Sequence, residues 1–304
     1  MKRVLFVCTG NIYRSLTAQK VFEKYLKENG VSDWKVSSAG TVANKAEIRP
    51  ELSVALQRVG VTNLKHKQRK VSKRILNNHD VVICMAQDHV DFLVKNFGYR
   101  DAKLFNELAN EEETSVRDID GRLFENKSKV TSLIKEIEKT VGHIEKSTPK
   151  LLQNLQDRYF LFTDFISGKR KHRNGFPFIT LFETKNSVAF MSIDIPKSGD
   201  GHFLVIPKKR YVDFYKIPKY ILNEMFATMS VVGKVLNETH DGFNILLNNG
   251  AQAGQYIFHS HFHLLPRKRG DGIQIELWKK DKISKEDFFK INEDFKKLIN
   301  RKNK

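Results

Sequence analysis

At 304 residues the chain is long enough for two cores of ordinary size, and its 40% hydrophobic and 11% aromatic content lets each half bury one. Two cysteines, Cys8 and Cys84, exclude a disulfide framework and a cysteine-based zinc site, and no apolar run is long enough to cross a bilayer. The formal charge of +18 is spread over both halves (27 basic and 19 acidic side chains in residues 1–150, 26 and 16 in residues 151–304), which suits attraction of anionic substrates; with no accompanying nucleic-acid motif, a nucleic-acid partner is not expected.

The apolar run after Met1-Lys2-Arg3 stops at Cys8-Thr9-Gly10, so residues 4–7 read as a buried first strand rather than a signal peptide. Two thiols suit a reducing compartment, and a soluble cytoplasmic protein without a membrane partner is expected. Residues 16–26 form a helix with Val21, Phe22, Tyr25 and Leu26 apolar, residues 34–38 a short strand, and residues 53–59 a helix. Residues 80–85 hold the strand Val81-Val82-Ile83-Cys84, in which Cys84 is a buried residue without chemistry. Residues 130–144 have helical period, with Ile134, Ile137 and Val141 on one face. This alternation predicts an α/β fold with a parallel sheet covered on both faces. The pattern changes at the polar stretch Ser147-Thr148-Pro149-Lys150, which divides the chain into domains 1–147 and 148–304. Beyond it, strands at 178–182, 188–193, 202–206, 243–247 and 258–265 surround a helix at 219–238, an α+β arrangement with an antiparallel sheet.

Cys8-Thr9-Gly10-Asn11-Ile12-Tyr13-Arg14-Ser15 joins the first strand to the first helix. A loop in that position points backbone N–H groups into one cavity, which binds phosphate and favours a thiolate. Arg14 can clamp two phosphate oxygens, Ser15 can donate to the sulfur, and Cys8 can attack phosphorus. In the second half, His259-Ser260-His261-Phe262-His263-Leu264-Leu265 has histidine at every second position, so on a strand all three share a face. Three imidazoles make a poor core; a metal site and a surface histidine tract are the readings of that cluster taken alone.

With Phe6-Val7 before the loop, Ser38-Ala39-Gly40, His66, Arg69 and Val82-Ile83-Cys84-Met85, the first motif resembles the low-molecular-weight protein tyrosine phosphatases over about residues 1–146. The resemblance implies a four-stranded parallel sheet and a phosphocysteine intermediate on Cys8, with phosphate held by Arg14 and by Thr9, Gly10, Asn11, Ile12, Tyr13 and Ser15. It also implies a general acid on a later loop, carried to Asp118 of Asp118-Ile119-Asp120-Gly121, with Asp120 as the alternative. The chain departs from the family at Leu16 and Ile119, where proline is usual, and at Tyr13, where many members carry a second cysteine that protects the nucleophile. Ile12 stands where the phosphoarginine-specific branch has threonine and favours a tyrosine-type substrate, a phosphorylated protein or aryl phosphate; phosphoarginine is the alternative.

The histidine run, with Gly254-Gln255 before it, Pro266-Arg267 after it, and Asp194-Ile195 preceding His202-Phe203-Leu204-Val205-Ile206-Pro207-Lys208, resembles the histidine-triad (HIT) family over about residues 157–298. The resemblance implies hydrolysis at the α-phosphorus of a nucleotide, a nucleoside phosphoramidate or a dinucleoside polyphosphate. His261 would attack and form a nucleotidyl-histidine, oriented by His259 and His263. Backbone N–H groups after Gly254 would stabilise charge, Asp194 would hold the ribose hydroxyls, and His202, Asn248 and Gln255 match further site positions. His263, where the transferase branch has glutamine, favours a hydrolase. Tyr256 replaces a serine or threonine next to the phosphate, and Phe160-Leu161-Phe162-Thr163 stands where zinc-bearing members have two cysteines, so no structural zinc is expected. No resident cofactor or metal is implied, magnesium entering at most as the substrate's counter-ion; a homodimer through the C-terminal domain is implied. Lys169-Arg170-Lys171-His172-Arg173 reads as a solvated loop. Attack needs a neutral imidazole, so activity is expected to fall as pH drops through about 6.5. The departures at Leu16, Ile119 and Tyr256 leave open a rival in which one half is catalytic and the other a degenerate binding module.

Overall fold

The computed structural model describes residues 1–43, 47–119, 130–197, 200–275 and 283–302. The first half is built on four parallel strands in the order β2-β1-β3-β4: β1 (Lys2–Cys8), β2 (Trp34–Gly40), β3 (Val81–Cys84) and β4 (Lys103–Leu104). β1 lies inside the sheet, so from Val4 onward its residues are buried on both faces and read as an unbroken apolar run. Val4, Phe6 and Cys8 face one core with α1 (Arg14–Glu28) and α2 (Pro50–Arg58); Leu5 and Val7 face a second with α3 (Lys73–Asn77) and α4 (Gln87–Phe97).

Past α5 (Phe105–Asn110), α6 runs unbroken from Val130 to Arg158. The stretch expected to separate the halves, Ser147-Thr148-Pro149-Lys150, is therefore helix. Buried residues continue at helical spacing through Ile144, Thr148, Leu151 and Leu155, and all but the threonine join the first core. Pro149 removes one N–H from the ladder, but it lies on the exposed face, where water can satisfy the freed carbonyl.

The second half opens with α7 (Leu161–Ile166). Its five antiparallel strands stand in the order β10-β11-β9-β8-β7: β7 (Thr180–Glu183), β8 (Ser187–Met191), β9 (Phe203–Pro207), β10 (Gly242–Leu247) and β11 (Phe262–Arg267). α8 (Lys219–Thr239) packs Ile221, Met225, Met229 and Leu236 on one face, against Ala189, Val205, Phe262 and Leu264. Leu161 and Phe162 cover the other, against Val188, Phe190, Leu204 and Ile206. The basic run expected as a solvated loop contributes β5 (His172–Arg173), which pairs with β6 (Phe176–Pro177). A last helix, α9 (Lys285–Lys302), was not anticipated; its Phe288, Phe295 and Leu298 are exposed. Among the described residues no helix is long and apolar enough to cross a membrane.

The halves are tied together by polar and apolar contacts. Lys2 on β1 donates to Asp164 on α7 at 2.6 Å, Lys169 to Asp33 at 2.7 Å, and Lys216 to Asp101 at 2.8 Å. Phe258 of the second half belongs to the first core.

Candidate active sites

The loop after β1 turns at Asn11, which adopts the left-handed conformation (φ 55°) without being glycine. That strain, about 1 kcal/mol or more, is held by hydrogen bonds on every side of the residue. Asn11 Nδ2 donates to Ser15 Oγ (3.0 Å) and Ser38 Oγ (2.8 Å), its Oδ1 accepts from Arg69 N (3.2 Å), and its carbonyl accepts from His66 Nε2 (2.9 Å). His66 and Arg69 are thus braces of the loop. Gly40, at the end of β2, is required for a different reason: a Cβ there would lie 2.5 Å from Thr9 O and 2.9 Å from Asn11 N.

Cys8 Sγ lies 2.9 Å from Ser15 Oγ. Ser15 Oγ already accepts from Asn11, so its own hydrogen is free for the sulfur. Arg14 is buried and spans the loop and the segment after α5. Its Nη2 donates to Asp118 Oδ2 at 2.6 Å and to Thr9 Oγ1 at 3.4 Å, and its Nη1 to Val116 O at 3.4 Å. The structure therefore brings Asp118 to the loop; Asp120 lies outside the described residues. His89 on α4, which the sequence did not single out, is buried with Nε2 2.9 Å from Thr9 Oγ1. Burial, reinforced by the Arg14 charge, pushes its imidazole down to about 4. Burial also pushes the Cys84 thiol up, consistent with an inert strand residue.

In the second half the alternation of histidines does not lie wholly on a strand. β11 begins at Phe262; His259 N bonds to Ile257 O (2.9 Å) and Ser260 N to Tyr211 O (2.6 Å), outside the ladder. His259 and His261 are on the approach to the strand, and His263 is in it. The backbone fixes the tautomers. His261 Nδ1 donates to His259 O at 2.7 Å, which leaves Nε2 as the lone pair. His259 Nε2 donates to Pro207 O at 2.7 Å. His202 Nδ1 donates to Asp194 O at 2.6 Å, so its Nε2 accepts from His263 Nδ1 at 2.8 Å. Phe162 stands edge-on to His259 and His261, at 5.7 and 5.5 Å. Burial lowers all three triad histidines, His259 and His263 to about 3, so they are neutral.

His261 and His263 open into a cavity of about 210 Å³ whose walls include Phe162, Phe178, Phe190, Arg173, Asp194 and His202, with Gly254 and Tyr256 at its side. Asp194 carries an exposed carboxylate 3.6 Å from Arg173. The basic run is therefore not simply solvated: Arg173 reaches this cavity and Arg170 pairs with Asp157 at 2.7 Å. Three expected nucleotide contacts are not among its lining residues. His259 is sealed behind His261; Asn248 Nδ2 reaches only Gly254 O, at 3.5 Å; and buried Gln255 braces its loop, accepting from Gly250 N (2.8 Å) and donating to Val212 O (2.9 Å).

A cysteine loop with its arginine and carboxylate, and a buried histidine cluster opening on an apolar cavity, are the two candidate sites of the chain. The comparisons with known proteins agree. Residues 3–160 match the low molecular weight phosphotyrosine protein phosphatase family and residues 176–270 match the HIT domain. An uncharacterized HIT-like protein of Methanocaldococcus jannaschii is 36% identical over 37% of this chain and 81% of its own length. An adenosine 5'-monophosphoramidase of Candida albicans is 34% identical over 41% of this chain and 88% of its own length. Among solved structures, a YwlE mutant from Bacillus subtilis gives a TM-score of 0.45 at 24% identity, covering 51% of this chain and 99% of that one. The chain belongs to the low molecular weight phosphotyrosine protein phosphatase family and carries a HIT domain fused behind it.

Proposed function

We propose that the chain is a bifunctional phosphate-ester hydrolase, with a phosphotyrosine-type phosphatase site at Cys8 and a nucleotide hydrolase site at His261. In the first reaction the Cys8 thiolate attacks the phosphorus of an aryl phosphate held by Arg14 and the loop N–H groups. The bond to the aryl oxygen breaks as Asp118 protonates that oxygen. Water then attacks the phosphocysteine, Asp118 takes its proton, and the P–S bond breaks. The meeting of Arg14 and Asp118 at the loop, with Ser15 Oγ 2.9 Å from the sulfur, supports this reading. Ile12 supports a tyrosine-type substrate over phosphoarginine.

In the second reaction His261 Nε2 attacks the α-phosphorus, the leaving group departs, and water cleaves the nucleotidyl-histidine. The observation that carries it is the backbone carbonyl of His259 on His261 Nδ1, which leaves a neutral ring with its lone pair free. The apolar wall of Phe162, Phe178 and Phe190 suits a nucleobase, and Asp194 at the rim suits ribose hydroxyls. Neither reaction uses a resident metal; chelator should leave hydrolysis of adenosine phosphoramidate intact.

The test is a panel of 4-nitrophenyl phosphate, phosphoarginine, adenosine phosphoramidate and diadenosine polyphosphate on the full chain and two variants. Cys8→Ser should abolish aryl phosphatase activity alone, and His261→Ala nucleotide hydrolysis alone. Activity that survives its own knockout removes that nucleophile from the scheme.

A further inference from the structure

We propose that the phosphatase half is a working part of the nucleotide site, with Arg158 and Phe258 acting as positioning residues for His261. This rests on the reading of His261 as the nucleophile. The carbonyl that fixes the His261 tautomer belongs to His259, so whatever holds the segment before His259 also holds the nucleophile. That segment, residues 256–258, is anchored chiefly in the other half of the chain.

α6 ends at Arg158, whose carbonyl accepts from Phe258 N at 2.6 Å and whose Nε donates to Tyr256 O at 3.4 Å. The guanidinium lies 4.9 Å from the Tyr256 ring and 5.0 Å from the Phe258 ring. The Phe258 ring packs 4.7 Å from Tyr159, 4% exposed, within the core that also holds Phe6 and Phe22. From the opposite side Arg210 Nη1 donates to Phe258 O at 3.3 Å, while its Nη2 donates to Asp80 O in the first half at 2.6 Å. Both polar groups of the Phe258 backbone are thus committed: its N–H to the phosphatase helix, and its carbonyl to an arginine tethered to the phosphatase sheet. Tyr256, held by the same Arg158, lines the nucleotide cavity. A slip of this segment would carry His259 O away from His261 Nδ1 and open the ring to water.

The test uses the full chain and follows adenosine phosphoramidate and 4-nitrophenyl phosphate side by side. Arg158→Ala and Phe258→Ala should each lower kcat on the phosphoramidate by about ten- to a hundredfold, the scale of a small misplacement of reacting groups, with KM little changed. The acid limb of the kcat profile should move up toward the ordinary imidazole range, because a loosened His261 loses the burial that lowers it. Phe258→Leu, which refills the core, should recover most of the loss. Unchanged 4-nitrophenyl phosphate turnover reports an intact phosphatase half; if Phe258→Ala loses both activities, Arg158→Ala decides. Wild-type kcat with an unmoved acid limb in Arg158→Ala would overturn the proposal. If instead His261→Ala keeps phosphoramidate hydrolysis, it is the nucleophile assignment that fails.

Discussion

Ser15 Oγ accepts from Asn11 Nδ2 and lies 2.9 Å from Cys8 Sγ, so its hydroxyl is placed to donate to a thiolate there. Such a braced contact is what turns a common Cys-to-Arg spacing into a candidate site, and it could not be read from the motif. Asp118 adds a second constraint: its carboxylate pairs with Arg14, the side chain proposed to clamp the phosphate. Asp118→Asn should therefore lower phosphatase kcat about a hundredfold or more, the usual share of general acid catalysis. It should also tighten inhibition by inorganic phosphate, since the competing anion is gone. Unchanged kcat, or weaker phosphate inhibition, would remove Asp118 from both roles. At His261 the structure shifts the expected pH dependence. In the proposed reaction the neutral ring attacks, and burial lowers the folded pKa below its usual 6.5, so protonation sets in only at lower pH. Phosphoramidate hydrolysis should hold steady as pH falls through 6.5 and decline below it; a midpoint at 6.5 or above in a kcat profile would show a solvated nucleophile instead.

The strands and helices that carry the sites were largely legible, because β1 and β3 are apolar on both faces and α8 has a clear helical stripe. Two elements were misread for identifiable reasons. Alternation of histidines looks like a strand, yet His259 and Ser260 spend their N–H groups on Ile257 and Tyr211, so β11 starts only at Phe262. A polar stretch with proline looks like a domain boundary, yet burial of Thr148, Leu151 and Leu155 carries α6 straight through it. Gly40 shows how one element end shapes another: its missing Cβ lets β2 close against the backbone of Thr9 and Asn11. Gly40→Ala should cost about 1–3 kcal/mol of stability, as overpacking does, and depress aryl phosphatase activity while phosphoramidate hydrolysis persists at permissive temperature. A thermal melt and phosphatase rate equal to wild type would mean the loop can give way at no cost.

For the molecule as a whole, two sets of motifs announced two families, but nothing in them announced that Phe258, one residue before the triad, is buried in the partner core. Contacts of that kind depend on which surfaces the halves present to each other, and local pattern does not encode them. The basic run shows the same limit, since Lys169 and Arg170 pair with Asp33 and Asp157. The proposed pair of reactions uses two separate nucleophiles, and the most direct measurement is to trap them. The full chain is quenched in alkaline denaturant during turnover and digested, and adducts are located by peptide mass. 4-Nitrophenyl phosphate should leave a phosphoryl group on the peptide of Cys8, and adenosine phosphoramidate an adenylyl group on the peptide of His261, with neither crossing over. An adduct on any other residue, or an adenylyl group that survives His261→Ala, would contradict the account.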